Sequence, residues 1–185
     1  MRKLFWQISS TLDGFMEDPE RSLELTAEVQ DREFEAYGTE MLDSIDSFII
    51  GRRTYELFVG HWPTATGRDA EILNRLPKYV VSTTLETVQW NNGHLVNGDV
   101  AKMIGDLKKE DGRDLAVFGS ATLASSLLEM GLIDECRILV TPYLLGQGHH
   151  AFKRLETSRA LSLTKCEQWS SGTVYMAYSV NPTWK

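Results

Sequence analysis

Short apolar segments that alternate with helical patterns constrain the fold of this chain more than any other feature. Strand-like segments of this kind occur at Leu4–Ile8, Ser47–Ile50, Lys78–Ser82, Asp114–Phe118 and Arg137–Thr141. Strands that are buried on both faces have continuous apolar sequences, whereas strands with one solvated face alternate. The pattern therefore predicts an α/β fold of three layers, with a mostly parallel central sheet flanked by helices.

Apolar residues at helical spacing lie between the predicted strands. The clearest stripe is Val100, Met103, Ile104 and Leu107, which follows Asp99, a residue type that caps helix N-termini. We predict helices over residues 34–45, 54–59, 100–107 and 121–130.

The C-terminal part of the chain has a different period. Apolar and polar residues alternate at Leu161–Thr164 and again at Val174–Val180, and the turn sequence Ser170–Gly172 lies between them. This alternation predicts an antiparallel hairpin at one edge of the parallel sheet. Because an exposed edge strand invites pairing with another chain, we expect a homodimer with residues 159–169 and 173–181 at or near its interface.

Composition excludes several classes of function. The 185 residues fit a single domain over 1–185, and 19 Lys and Arg against 26 Asp and Glu give a net charge of −7. An acidic chain is poorly suited to nucleic acid or to an anionic membrane, since phosphates require a basic face. No apolar run approaches the roughly 18 residues of a membrane span. We therefore expect a cytoplasmic protein that binds neither nucleic acid nor membrane.

The cysteines and histidines do not predict a metal site. Cys136 and Cys166 are isolated in the sequence, so we interpret both as reduced thiols. His149 and His150 are adjacent, and adjacent residues on an extended chain point to opposite faces. One metal ion would rarely take both side chains, and we predict no metal.

Three predicted strands are followed by residues that suit a phosphate or a ribose. They are Gly51, Arg52, Arg53 and Thr54 after one strand, Ser82 and Thr83 after another, and Gly119, Ser120, Ala121, Thr122 and Leu123 after a third. Ligands of open parallel sheets bind at the carboxyl ends of strands, where helix N-termini and arginines can hold phosphates. Each group alone also fits an ordinary role, such as a helix cap by Ser120 or a turn. Together they favour one dinucleotide site.

Five motifs occur in a fixed order along the chain. They are Leu12–Phe15, Gly51–Glu56, Phe118–Ser120, Gly131–Glu135 and Pro142–Gly148. In this order they resemble the reductase family that includes the C-terminal domain of the bifunctional riboflavin-biosynthesis deaminase-reductase. The resemblance covers nearly the whole chain, and it implies a dihydrofolate reductase-like fold and an NADPH-binding site.

The resemblance also implies roles for particular segments. Residues 51–54 and 82–83 would bind the 2′-phosphate side of NADPH, and residues 119–123 its pyrophosphate. The implied activity is similar to that of a 5-amino-6-(5-phosphoribosylamino)uracil reductase. The chain departs from the family in two ways. Gly119-Ser120 stands where the family often has Gly-Gly, and the zinc deaminase signature of His-x-Glu and Pro-Cys-x-x-Cys is absent from this sequence.

Several residues are candidates for contact with the substrate. Asp13 follows the first strand and is the first candidate to contact the substrate or relay a proton, although Asp13-Gly14 is also a turn sequence. Glu33 and Glu35 lie near a predicted helix start, where dihydrofolate reductases keep an acidic residue and where glutamates also favour the helix dipole. Trp6 and Trp62 could form a wall of the pocket or belong to the core.

The sequence thus predicts an NADPH-dependent reductase of a small heterocyclic or carbonyl-type substrate. The cofactor would supply the hydride, and the protein would supply binding and orientation. Two alternatives stay open. One is a dihydrofolate reductase or another pterin reductase, and the other is a non-catalytic nucleotide-binding dimer module.

Overall fold

An eight-stranded sheet forms the centre of the fold, and the computed structural model describes residues 1–20, 31–153 and 155–181. The strands are β1 (Leu4–Thr11), β2 (Phe15–Glu17), β3 (Ile45–Gly51), β4 (Lys78–Val81), β5 (Gly93–Val96), β6 (Asp114–Phe118), β7 (Glu135–Thr141), β8 (His149–His150), β9 (Ala160–Gln168) and β10 (Val174–Asn181). The helices are α1 (Arg32–Ser44), α2 (Arg52–Val59), α3 (Arg68–Arg75), α4 (Val100–Leu107) and α5 (Ala121–Glu129).

The sheet has the order β5-β4-β3-β6-β1-β7-β10-β9. All the pairs from β5 to β7 are parallel, whereas β10 pairs antiparallel with both β7 and β9. The prediction of a mostly parallel sheet with a C-terminal hairpin on one edge is therefore confirmed. β9 is the last strand of the sheet on that side.

Helices cover both faces of the sheet. Neighbouring residues of β1 point to opposite faces, so Trp6 packs in one apolar cluster with Ile104 and Leu127, and Phe5 packs in another with Phe48 and residues of α3. These two clusters lie between the sheet and the two helical layers, which confirms the three-layer prediction. None of the helices in the described part of the chain has the length and hydrophobicity that a bilayer span requires.

Three small elements were not predicted. Helix α3 and strand β5 lie next to β4, and the two-stranded ribbon of β2 and β8 lies apart from the main sheet. The predicted helix over 34–45 is present with shifted bounds, because Ile45 begins β3.

Lys78 is a lysine inside the core. Its side chain is fully buried at the start of β4, and its Nζ donates hydrogen bonds to the carbonyls of Asn74 (3.2 Å) and Asn91 (2.6 Å). The same nitrogen lies 4.3 Å from the centre of the Trp90 ring. Burial lowers the pKa of Lys78 to about 8. Through these hydrogen bonds the lysine connects the end of α3 to the segment before β5. Burial of its charged form is unfavourable, and this opposes the stability that the hydrogen bonds contribute.

Candidate functional site

A cleft of about 490 Å³ opens at the carboxyl ends of β3, β4 and β6. We call it the outer cleft. All the predicted cofactor-binding residues except Gly119 line it, and they are Gly51, Arg52, Arg53, Thr54, Ser82, Thr83, Ser120, Ala121, Thr122 and Leu123. The parallel pairing of these strands brings the three separate sequence segments together, as expected for an open parallel sheet.

Ser120 joins two sides of the outer cleft. Its hydroxyl accepts a hydrogen bond from the Gly51 backbone N–H (2.8 Å) and lies 2.7 Å from the Thr54 hydroxyl. The residue has φ +49°, in the left-handed region, and makes no side-chain cap bond to α5. Ser120 therefore occupies the N-cap position of α5, as expected, but its side chain does not cap the helix. The left-handed backbone turns the hydroxyl away from the α5 N–H groups and toward the start of α2.

The two arginines of the outer cleft are held differently. Arg52 donates from Nε to Glu56 (2.6 Å) and from Nη1 to the Thr84 hydroxyl (2.8 Å), so it leans toward the end of β4. Arg53 lies 3.7 Å from Glu17, between Nε and Oε1. Both guanidinium groups are about half exposed and can reach an anion in the cleft.

A second cavity of about 280 Å³ adjoins the outer cleft. We call it the inner cavity. The two share Met16, Glu17, Arg53 and Thr54. The rest of the inner lining is mainly apolar and aromatic, with a few polar groups, and it comprises Gln7, Ile8, Ser9, Phe34, Leu57, Phe58, Phe118 and Gly119. This composition is typical of a small-molecule site.

Gly119 lies on the inner cavity, one residue from the outer cleft. Its φ of +51° is a conformation that glycine adopts without strain. Its N–H donates to the Gln7 carbonyl (3.0 Å), and its own carbonyl accepts from the Trp6 indole N–H (2.8 Å). Trp6 is thus a buried core residue that fixes this turn, and it does not line either cavity.

The ribbon of β2 and β8 supplies residues that the sequence did not identify. Glu17 pairs with His149 across the ribbon, and both line the outer cleft together with Lys153. His150 points the other way and stacks on Phe15, with ring centres 4.3 Å apart. Among the described residues, no three His, Cys, Asp or Glu side chains form a group that could hold a metal ion.

Gly148 fixes the position of Glu17. A Cβ at position 148 would lie 2.2 Å from the Glu17 carbonyl oxygen, and the glycine has φ +142°. No other residue fits both the space and the backbone. The second glycine of the Pro142–Gly148 motif therefore lets β8 press against β2.

Asp13 is held in place by hydrogen bonds within its own turn and from the loop at residues 145–146. Its carboxylate accepts hydrogen bonds from the Thr11 hydroxyl (2.6 Å) and from the backbone N–H groups of Leu145 (3.0 Å) and Gly146 (2.7 Å). The Thr11 bond, followed by the Gly146 bond, lowers the pKa of Asp13 to about 2. Asp13 is not among the described residues that line either cavity. The structure thus places Asp13 at the contact between the β1–β2 turn and the loop at residues 145–146, and its role toward the substrate stays a prediction.

The other substrate candidates also lie elsewhere. Glu33 accepts hydrogen bonds from the backbone N–H and the hydroxyl of Ser170, and Glu35 is exposed on α1. Trp62 packs against the apolar cluster below α2. None of these side chains is among the described lining of the two cavities. From α1, Phe34 reaches the inner cavity instead.

Comparison with known proteins identifies the family. A family model of the RibD C-terminal domain matches residues 2–175. The chain belongs to the RibD C-terminal domain family. This confirms the resemblance that the five sequence motifs indicated. The RibD C-terminal domain family is one of reductases, so the chain is an oxidoreductase.

Relatives of this RibD-like chain include one curated protein and several solved structures. The uncharacterised protein YyaP of Bacillus subtilis is 28% identical over 185 residues, which cover 97% of this chain and 96% of YyaP. A protein from Shewanella sp. PV-4, provisionally named for riboflavin biosynthesis, has a TM-score of 0.79 at 24% identity, with 97% and 99% of the two chains covered. A deaminase/reductase from Thermotoga maritima has a TM-score of 0.71 at 14% identity, with 97% of this chain and 57% of that one covered.

Proposed function

We propose that the chain is an NADPH-dependent reductase that acts on a small heterocyclic or carbonyl-type substrate. The observation that carries the proposal is the junction of the two cavities. A dinucleotide in the outer cleft would reach the inner cavity at Met16, Glu17, Arg53 and Thr54, which line both. A substrate in the inner cavity would then lie next to the nicotinamide.

The residues of the outer cleft fit the cofactor. Arg52, with the hydroxyls of Ser82 and Thr83, would hold the 2′-phosphate, and the N-terminus of α5 would hold the pyrophosphate. Lys153 adds another cation to the lining of the outer cleft. The cofactor supplies a hydride when bound. The chain would bind the cofactor and the substrate, orient them relative to each other and exclude water.

The substrate in this proposal is a pyrimidine like that of the Thermotoga maritima relative, which is named a 5-amino-6-(5-phosphoribosylamino)uracil reductase. A pterin such as dihydrofolate is the second candidate, because the aromatic walls of the inner cavity suit a flat ring system. A panel of pyrimidines and pterins, followed by the loss of NADPH absorbance, tests both. Tight NADPH binding without turnover on any member would favour the non-catalytic module.

We expect the chain to prefer NADPH to NADH by about 10- to 150-fold in affinity. Only NADPH carries a 2′-phosphate, and a hydrogen bond to a charged group is worth roughly 1.5–3 kcal/mol. Calorimetric titration of the two cofactors measures the ratio. Arg52→Gln should bring the two dissociation constants together by weakening NADPH alone. Equal constants in the unmodified protein would contradict the assignment of the 2′-phosphate site.

We expect a homodimer of twice the 20.9 kDa chain mass. The support for it is β9, an edge strand on which Leu161 and Leu163 are 44% and 55% exposed. Light scattering at tens of micromolar protein measures the mass, and the double variant Leu161→Lys, Leu163→Lys should shift it toward the monomer. A monomer mass for the unmodified chain would refute this expectation.

A further inference from the structure

A third cavity, of about 280 Å³, lies between α1 and the strands β7, β9 and β10. We call it the rear cavity. It shares no described lining residue with the outer cleft or the inner cavity. Its volume is close to the lower end of the range for small-molecule pockets, about 300 Å³. Two cationic and two anionic side chains line it, and they are Arg137, Lys165, Glu40 and Glu135.

Arg137 is fixed in position, but part of its guanidinium has no partner. Nε donates to Glu135 (2.6 Å), and the guanidinium carbon lies 3.6 Å from the centre of the Phe5 ring. Neither Nη nitrogen donates to a described residue. Every fully buried side-chain nitrogen or oxygen in the described part of the chain has a hydrogen-bond partner, so the Nη groups are open to the cavity. A guanidinium held in this way suits a carboxylate, which can accept from both Nη groups.

Glu40 is the anion of the rear cavity that lacks a close partner. It is exposed on α1, and no described cation lies within ion-pair distance of its carboxylate. Glu135 is occupied by Arg137, and Lys165 pairs with Glu167 at 3.1 Å. The hydrogen bond to Glu167 is the main cause that raises the pKa of Lys165, and the charge of Glu40 adds to it from a longer distance. Glu40 can therefore accept a cationic group from a ligand.

The charges and rings of the rear cavity together define the ligand. The four charged side chains balance, so a ligand with one sign of charge would leave either the Arg137 fork or Glu40 without a partner. A ligand that carries both signs satisfies the two groups at once. The rings of Tyr37 and Tyr175, with centres 4.7 Å apart, and the side chain of Met41 supply an apolar surface beside them. Such a surface suits an aromatic or aliphatic side chain.

We propose that the rear cavity binds a small zwitterion of the α-amino acid class. Its carboxylate accepts hydrogen bonds from the Nη groups of Arg137, and its ammonium group donates to Glu40. The site lies outside the two cavities of the proposed reductase function, and it is independent of that function.

The expected dimer contact leaves this cavity open. Leu161 and Leu163 pair with Val180 and Tyr178 across the hairpin, and cross-strand partners share a face of the sheet. Val180 and Tyr178 pack against the cluster that contains Ile104 of α4. The rear cavity is on the other face, under α1, so a partner seated on these leucines does not cover it.

Three probes with the same phenyl ring test the zwitterion. Phenylalanine carries both charged groups, hydrocinnamate only the carboxylate, and phenethylamine only the ammonium. By calorimetry, phenylalanine should bind at least tenfold more tightly than either of the others, since each of these loses one charge-assisted contact. No detectable phenylalanine binding at millimolar concentration overturns the proposal. Hydrocinnamate or phenethylamine that binds as tightly as phenylalanine overturns it as well.

Glu40→Gln separates the two ends of the ligand. The residue is exposed, so the fold should survive the change. This variant should bind phenylalanine at least tenfold more weakly and hydrocinnamate no more weakly than the wild type. Glu35→Gln, the same change at another exposed position of α1 outside the cavity lining, should preserve phenylalanine affinity. Unchanged phenylalanine affinity in Glu40→Gln contradicts the assignment of the ammonium group.

Methionine resonances locate the bound probe without any variant. Met41 lines the rear cavity, Met16 lines both of the other cavities, and Met130 is exposed at the end of α5. With ¹³C-methyl methionine, phenylalanine should shift the Met41 resonance through its ring current and leave Met16 and Met130 unchanged. A shift of Met16 in place of Met41 would mean that the amino acid binds in the reductase cavities, and the proposed site would be rejected.

Discussion

Gly119→Val should weaken NADPH binding at least 100-fold, which corresponds to about 2.7 kcal/mol. A side chain at position 119 would project from the turn between the outer cleft and the inner cavity, where the nicotinamide would pass in the proposed complex. Its Cβ would meet only the Thr54 hydroxyl, at 3.6 Å, so the first atom fits and the valine methyl groups occupy the passage. Calorimetric or fluorescence titration with NADPH measures the loss.

Backbone strain is the competing explanation for such a loss, since position 119 has φ +51°. Valine there should also lower stability, by on the order of 1–3 kcal/mol. Gly131→Val is the matched control. Gly131 has φ +69° and open space around its Cβ, and it ends α5 at the opposite end from the cleft. This variant should lose comparable stability and keep NADPH affinity within about twofold. Unchanged NADPH affinity in Gly119→Val would show that no nucleotide passes this turn.

Lys78 should make the protein more stable as pH rises from 8 to 10. The folded-state pKa is about 8, below the ordinary value of 10.5. Below pH 8 both folded and unfolded states are protonated, and the full burial penalty applies. Between the two pKa values the unfolded chain binds more protons, so the free energy of unfolding increases with pH. The increase attributable to Lys78 is on the order of 2 kcal/mol.

Urea unfolding of the wild type and Lys78→Met at several pH values isolates this effect. The free energy of unfolding of the wild type should rise relative to that of the variant between pH 7 and 10. Lys102→Met provides the opposite comparison, because the hydrogen bond to Asp106 raises the pKa of exposed Lys102. Stabilisation by Lys102 should therefore fade at high pH. Parallel pH profiles for the wild type and Lys78→Met would mean that the buried amine keeps an ordinary pKa.

The sequence was sufficient to predict the parallel sheet because its strands are short but continuously apolar segments, as expected for strands that are buried on both faces. It was insufficient for α3 and β5. Only Ala70, Ile72 and Leu73 of α3 are buried, so its eight residues look like a polar loop. β5 has four residues and begins with a glycine, which weakens a strand signal. Both elements form because they pack beside β4, and that tertiary context is not written in their local pattern.

Local sequence pattern also explains which residues of the candidate site were predicted and which were not. Gly51–Thr54, Ser82 and Ser120 each follow a strand, and parallel pairing alone brings strand ends together. Glu17 and His149 meet through a ribbon whose strands have three and two residues, and the two residues are 132 positions apart in the sequence (149 − 17). Such short pairings have no periodicity to detect. The hydrogen bonds that hold Asp13 were hidden for a related reason, because its partners Leu145 and Gly146 lie more than 130 positions away in the sequence.

The hydrogen bonds of the Ser120 hydroxyl to Gly51 and Thr54 affect the thermodynamics of ligand binding. Where a flexible cleft closes on a nucleotide, part of the interaction energy is lost in ordering the two walls. Here the wall that starts α2 and the wall that starts α5 are already joined by the Ser120 hydroxyl. A glycine at position 120 would relax the left-handed backbone but leave the walls independent. Ser120 adopts a strained backbone conformation, but its hydroxyl already joins the two walls. Little conformational entropy is therefore lost when a ligand binds in the cleft.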